Sequence, residues 1–275
     1  MQVRITTLSE NTAGRPGVLA EWGLSILVEA DDLKILMDTG PSISVPYNAS
    51  VLGIDLSLID KIVLSHGHYD HTGGLREVLA RTGKVEVIAH PDIFAAKYAR
   101  YGEQARYVGI PFSREAMEAL AAFTLSREPV WITADIMTTG EIPMVSPYEE
   151  IDPPLCVKQG GKLVPDPLWD DRALIIRTDD GLVVITGCAH RGLINTLYHA
   201  RELTGVDVVH TVVGGTHLIL ASEERVLLTA AALREFGVQR LGVSHCTGIR
   251  AAMMLAREFG DIFFFNNTGT QITAP

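Results

Sequence analysis

Short apolar runs that stop abruptly at polar, glycine-bearing ends recur along this chain. Residues 3–8 alternate weakly and predict an edge strand, with the polar stretch 11–17 as a loop behind it. Residues 24–29 and 34–37 are apolar runs joined by Ala30-Asp31-Asp32, a hairpin signal, and the second run ends at Asp38-Thr39-Gly40. Residues 62–64 form another run, ended by Ser65-His66-Gly67-His68-Tyr69-Asp70-His71. After Gly73-Gly74, Leu75, Val78 and Leu79 recur at helical spacing until Gly83. Residues 85–89 predict a strand closing at His90-Pro91.

The middle of the chain reads differently. Residues 93–100 and 114–123 have helical periodicity, and after them come Pro129, Pro143, Pro147, Pro153, Pro154, Pro165 and Pro167. Proline at that density forbids long regular elements, because it lacks a backbone donor. Residues 92–168 are therefore read as an insertion serving as a lid or substrate-binding segment, with a decorative insertion or an oligomer contact as the alternative.

Regular patterning returns with apolar runs at 173–177 and 182–186 around Asp179-Asp180-Gly181, a second hairpin. Gly187-Cys188-Ala189-His190-Arg191-Gly192 follows, then a helix presenting Leu193, Leu197, Ala200 and Leu203 on one face. Residues 208–213 predict a strand ending at Gly214-Gly215-Thr216-His217, and Ser222 is the N-cap of a helix that runs to Phe236. A short strand at 241–243 leads into Ser244-His245-Cys246-Thr247-Gly248, then a helix to Glu258 and a last strand at 262–265. The halves echo each other: each has a hairpin with an Asp-Asp turn, and residues 61–66 and 240–245 are both apolar runs ending in Ser-His.

Composition narrows the class. The 275 residues suffice for one large core, read here as a single domain over 1–275. Three widely spaced cysteines argue against a disulfide framework. No apolar run reaches membrane-spanning length and residues 1–8 lack a leader pattern, so the expected location is cytoplasmic, with no membrane partner. A net charge of -10 disfavours nucleic acid as a partner but not an anionic small molecule, since bound cations invert the local field.

Three histidines and an aspartate within six residues, in a chain with nine histidines, mark the loop after residue 64 as a metal site. Loops at strand ends collect at one edge of an α/β arrangement, which gathers His66, His68, Asp70, His71, His190 and His245. The expected grouping is His66, His68 and His190 around one divalent cation, with Asp70, His71 and His245 around a second. Imidazole nitrogen with carboxylate oxygen suits Zn first, with Fe or Mn as alternatives. Asp38 is an acid placed to orient ligands or to cap a turn, and Asp70 and His217 are the candidate catalytic side chains. His90 and Cys246 read as structural, Arg191 and Arg250 as surface arginines, and His199 and His210 carry no assignment.

His66-Gly-His68-Tyr-Asp70-His71 resembles the H-x-H-x-D-H signature of the metallo-β-lactamase superfamily, and Asp38-Thr39-Gly40 resembles its preceding acidic strand end. The resemblance spans the chain in order. It implies an α/β fold, a four-layer αββα sandwich with the metal site at one edge of the paired sheets. Residues 187–192, 214–218 and 244–248 resemble the subgroup that includes the archaeal dihydropterin-ribofuranosylaminobenzene-phosphate synthases of methanopterin biosynthesis. One departure stands out. Where the superfamily commonly places a bridging aspartate, this chain has Cys188, and with Trp-Asp-Asp-Arg-Ala at 169–173 the usual upstream histidine is absent, so His190 takes the missing ligand's place. Cys188, Asp170 and Asp171 are the residues whose approach to the cations is left open.

The expected function is a metal-dependent enzyme acting on a phosphate-bearing small molecule. The resemblance permits hydrolysis or dihydropterin-methyl transfer with loss of diphosphate. The alternative is an iron-binding redox or sensor protein of the same fold, although His68, where a carboxylate would favour iron, points to hydrolytic-type metals. A homo-oligomer is compatible with the sequence.

Overall fold

The structure, a computed structural model, describes residues 2–275. These residues form two seven-stranded sheets and a separate four-stranded one. The first large sheet runs Gln271–Ala274, Val3–Ser9, Ser25–Ala30, Leu33–Met37, Lys61–Val63, Glu86–Ala89, Ala122–Leu125, antiparallel through Leu33–Met37 and parallel beyond. The second runs Phe263–Phe265, Arg240–Ser244, Val209–Gly215, Gly181–Thr186, Ala173–Thr178, Ile136–Thr138, Val130–Trp131. Its first four strands are parallel and the rest antiparallel. Each sheet thus contains a hairpin from which a parallel run extends, which is the repeated unit the sequence echoes.

Strand side chains alternate between faces, and here both faces are covered, which is why the strands read as continuous apolar runs. Ile26, Val28, Ile35 and Met37 of one sheet meet Leu174, Ile176, Val183 and Ile185 of the other in a central core. Their neighbours point outward: Leu27 and Leu36 under the helices Ser44–Val51 and Leu75–Thr82, and Ile175, Leu182 and Val184 under Leu193–Thr204, Glu223–Glu235 and Ile249–Phe259. Three cores between helix, sheet, sheet and helix make the four-layer αββα sandwich. Each fully buried aliphatic side chain contributes about 1.5–3 kcal/mol.

Helix ends follow local chemistry. Ser222 Oγ accepts from the Arg225 amide, with Glu223 and Glu224 in the first turn. Leu193–Thr204 stops at Gly205 in the left-handed region (φ 70°), which glycine adopts without the steric penalty of a Cβ. Among the described residues no helix is long and apolar enough to cross a membrane.

Several expectations fail. The segment 93–100 is not a helix: a short 3-10 turn, Pro91–Phe94, gives way to the strand Lys97–Tyr101. Pairing with Leu155–Gln159 and Gln104–Tyr107 outweighs its helical spacing. Within 114–123 only Arg114–Glu118 is helical, because Ala122–Leu125 adds to the first sheet beside Glu86–Ala89. Val3–Ser9 is not an edge strand; Gln271–Ala274, a strand the pattern did not suggest, covers its outer side. Of the segment 92–168, three strands join the large sheets. Residues 97–107 and 155–165 build the four-stranded sheet Lys162–Pro165, Leu155–Gln159, Lys97–Tyr101, Gln104–Tyr107. Of the segment's prolines only Pro165 lies in a strand, at the last position of an edge strand, where its missing donor costs least.

Candidate metal centre

The strand-end loops meet at one edge of the sandwich and bring the six expected ligands together in two groups. His66, His68 and His190 offer donor atoms within 4.8 Å of one another, and so do Asp70, His71 and His245. Cys188 lies between them: its Sγ is 3.1 Å from His71 Nε2, and it forms a further donor group with His66 and His71. Of the six non-glycine residues with positive φ among those described, Asp38, Ala189, His217 and His245 sit at these strand ends. Such conformations cost on the order of 1–3 kcal/mol each and persist where the surroundings impose them.

Hydrogen bonds fix which ring nitrogen faces the site. Buried Asp38 accepts from the Ser65 amide and hydroxyl and from His71 Nδ1, each at 2.7 Å. Because the Ser65 proton goes to Asp38, Ser65 Oγ must accept from His66 Nδ1 at 2.9 Å, which leaves His66 Nε2 as a bare lone pair. Asn11 Oδ1 takes the Nδ1 proton of His245, 2.9 Å away, and Glu10 accepts the His245 amide. His245 Nε2 is thereby turned toward Asp70 Oδ2 at 3.3 Å. Outer partners of this kind set tautomer and ring orientation.

The donor set fits a cation better than it fits protons. His66 Nε2 is 2.9 Å from His68 Nδ1 and 3.2 Å from His190 Nε2, yet its single lone pair can accept only one hydrogen bond. Tetrahedral bonds of zinc length separate ligand nitrogens by roughly 3.3 Å, close to what is seen. At the far side of their rings, His68 Nε2 and His190 Nδ1 are buried without a hydrogen-bond partner among the described residues.

The electrostatics agree for the first group, whereas in the second His71 favours its proton. Burial, then the neighbouring rings, pushes His66 and His190 far below the ordinary histidine range, and burial with the Lys97 charge takes His68 to about 3, so all three are neutral donors. Burial opposes charge on Asp70, but His245 and His71 hold its carboxyl well below the usual range. Burial likewise opposes charge on His71, and Asp38 overrides it, lifting the ring to about 9. Burial raises the Cys188 thiol.

His217 lies beside this centre, its ring 4.0 Å from that of His190. Despite burial, Asp152 at 2.8 Å from Nε2 raises it to about 10, which keeps it a donor at neutral pH. The two aspartates left open by the sequence stand behind the ligands: Asp170 accepts the Gly67 amide and Lys97, and Asp171 accepts the Arg191 amide. Arg191 stacks on Trp169, Arg250 pairs with Glu223 at the surface, and His90 bonds Glu141 away from the site. His199 and His210 also lie elsewhere, bonded to Thr139 and Thr211.

A cavity of about 440 Å³ opens over the centre, with His68, Asp70, Cys188, His190, His217 and His245 along its floor. Trp22, Tyr69, Tyr101 and Arg106 form its walls, the last two from the four-stranded sheet, and the Arg106 guanidinium lies over the Tyr69 ring. These wall residues, with Asp152 and Lys97, escape a reading of the sequence. Except for Tyr69, which lies between His68 and Asp70, none stands at the end of an apolar run beside other ligands.

The fold and the paired donor groups define a metal-site protein of the αββα class. The profile of the metallo-β-lactamase superfamily matches residues 23–230, and the chain belongs to that superfamily. It is 33% identical over 273 residues to the 7,8-dihydropterin-6-methyl-4-(beta-D-ribofuranosyl)-aminobenzene-5'-phosphate synthase of Methanocaldococcus jannaschii, covering 95% of this chain and 93% of that protein. A solved metal-dependent hydrolase of the β-lactamase superfamily, Tm1679, superposes with a TM-score of 0.85 at 31% identity, covering 98% of each chain. Zinc-bound PqqB from Methylobacterium extorquens shares the fold alone, at 10% identity and a TM-score of 0.59 over 98% of this chain and 99% of that one.

Proposed function

We propose that the chain is a cytoplasmic enzyme holding two divalent cations, zinc first, that acts on an anionic, phosphate-bearing small molecule. Its reaction is transfer of a dihydropterin-methyl group with loss of diphosphate. The observation that carries this reading is the pairing of His66, His68 and His190 with Asp70, His71 and His245 beneath aromatic walls. When bound, cations there supply positive charge to anionic oxygens and acidity to water.

The chain's own side chains do the rest. Trp22, Tyr69 and Tyr101 offer flat faces to a ring, and the volume suits a small molecule. Arg106 receives a phosphate at the mouth, and residues 97–107 with 155–165 serve as the substrate-binding segment. His217, kept protonated by Asp152, donates to negative charge developing on the leaving group. The name of the M. jannaschii relative supports transfer. The description of Tm1679 favours a second reading, hydrolysis of an ester or phosphodiester at the same centre.

The test offers the metal-loaded protein a dihydropterin diphosphate with an arylamine, then a phosphodiester panel. Coupled product and released diphosphate, both abolished by chelator, are expected. Turnover of the panel alone rejects transfer. A protein that purifies without metal, and whose stability and activity ignore chelator, rejects the metal-dependent reading altogether.

A further inference from the structure

Lys97 is, after Arg172, the largest fully buried side chain among the described residues, with 1% of its surface exposed. It sits on the first strand of the four-stranded sheet, and its Nζ donates to Asp166 Oδ2 and Asp170 Oδ1, both at 2.8 Å. The two carboxylates have separate second duties. Asp166 Oδ1 accepts the Leu168 amide and shapes its own turn, whereas Asp170 Oδ2 accepts the Gly67 amide at 2.7 Å. Gly67 is the residue between His66 and His68.

The backbone repeats the connection. The Val108 amide donates to Lys97 O, the Tyr69 amide donates to Val108 O, and His68 bridges Gly109. Gly67 permits this closeness: a Cβ there would lie 2.4 Å from Ile93 O and 3.2 Å from Lys97 Cε. A lysine this deeply buried costs several kcal/mol in desolvation and persists only when paired and hydrogen-bonded. Holding Asp166 alone would satisfy one carboxylate of a turn. Holding Asp170 sets the peptide that separates two metal ligands.

We propose that Lys97 is a positioning residue: through Asp170 it clamps the Gly67 peptide, fixes the spacing of His66 and His68, and ties the substrate-facing sheet to the metal loop. This rests on the metal reading above. Asp166 supplies the internal control, because it binds the same ammonium but touches no ligand-bearing peptide.

The experiment compares Asp170→Asn with Asp166→Asn, measuring thermal unfolding, zinc affinity by chelator competition and the visible spectrum of the cobalt-substituted protein. Both variants are expected to unfold at lower temperature. Asp170→Asn is expected to bind zinc 10–100-fold more weakly with an altered cobalt spectrum, as the loss of an outer partner does. Asp166→Asn is expected to stay within about twofold of the parent with an unchanged spectrum. Equal weakening in both, or unchanged affinity and spectrum in Asp170→Asn, overturns the proposal. Should Asp170→Asn fail to fold, Lys97→Gln is read against Asp166→Asn by the same criteria. Failure of the parent protein to bind zinc or cobalt would instead reject the metal reading.

Discussion

Asp38 and His71 form a fully buried pair in which the carboxylate, 2.7 Å from Nδ1, turns the opposite nitrogen, Nε2, toward Cys188 and the second donor group. The same carboxylate accepts both protons of Ser65 and so also sets the tautomer of His66. One acid at a strand end therefore orients a ligand in each group. Asp38→Asn keeps the shape but loses an acceptor. It is expected to weaken metal binding 10–100-fold and to lower stability by about 1–3 kcal/mol. Chelator competition and thermal unfolding check both, and unchanged metal affinity would show that Asp38 only supports the turn.

His190→Ala removes the donor that the second half of the chain contributes to the first group. Metal content after dialysis is expected to fall by about one equivalent, because two histidines with water hold zinc poorly. An unchanged content would mean that His190 does not replace the missing family ligand.

Gly187 precedes Cys188, and a Cβ on it would lie 2.1 Å from Ser65 Oγ and 3.0 Å from Asp38 Oδ2. Gly187→Ala is therefore expected to cost about 1–3 kcal/mol by overpacking and to disturb the Asp38 hydrogen bonds. A denaturant midpoint equal to the parent's would show that the hairpin end yields freely. Gly205→Ala, at a helix end with open space around it, serves as the comparison for backbone strain alone.

His90 gives a pH dependence clear of the metal ligands. Its Nδ1 accepts the Asp92 amide and its Nε2 donates to Glu141, so the folded protein wants it neutral, and burial, the leading cause, lowers its pKa. The unfolded chain then binds the proton more readily. This contribution is present above the unfolded value near 6.5 and is lost as pH falls below it. Unfolding measured from pH 8 to pH 5 is expected to show a shallower acid loss in His90→Gln than in the parent. Parallel curves would remove His90 as a cause.

What the sequence disclosed was local. Asp38, the ligand loop, His190 and His245 each stand where an apolar run stops, and the sandwich follows from runs long enough to pair yet too continuous for one wet face. What it hid was non-local. Residues 93–100 carry a helical spacing that loses to a partner strand at Leu155–Gln159. Lys97 reads as an ordinary surface lysine because its carboxylates lie 69 and 73 positions away. Asp152 sits among prolines with no signal that it faces His217. The Ala122–Leu125 strand was obscured because its hydrogen bonds run to Glu86–Ala89 across the intervening sheet and turn.

The four-stranded sheet takes its strand pairings from within itself, while the candidate metal donors belong to the two large sheets and their loops. On the function proposed above, the selectivity contributed by Tyr101 and Arg106 is written on a part of the chain that carries no metal donor. A descendant could trade Tyr101 or Arg106 for other side chains, and so change its diet, without touching a ligand. Lys97 sets the limit on that freedom: a new wall must still bring a cation to Asp170, or the loop between His66 and His68 loses its anchor.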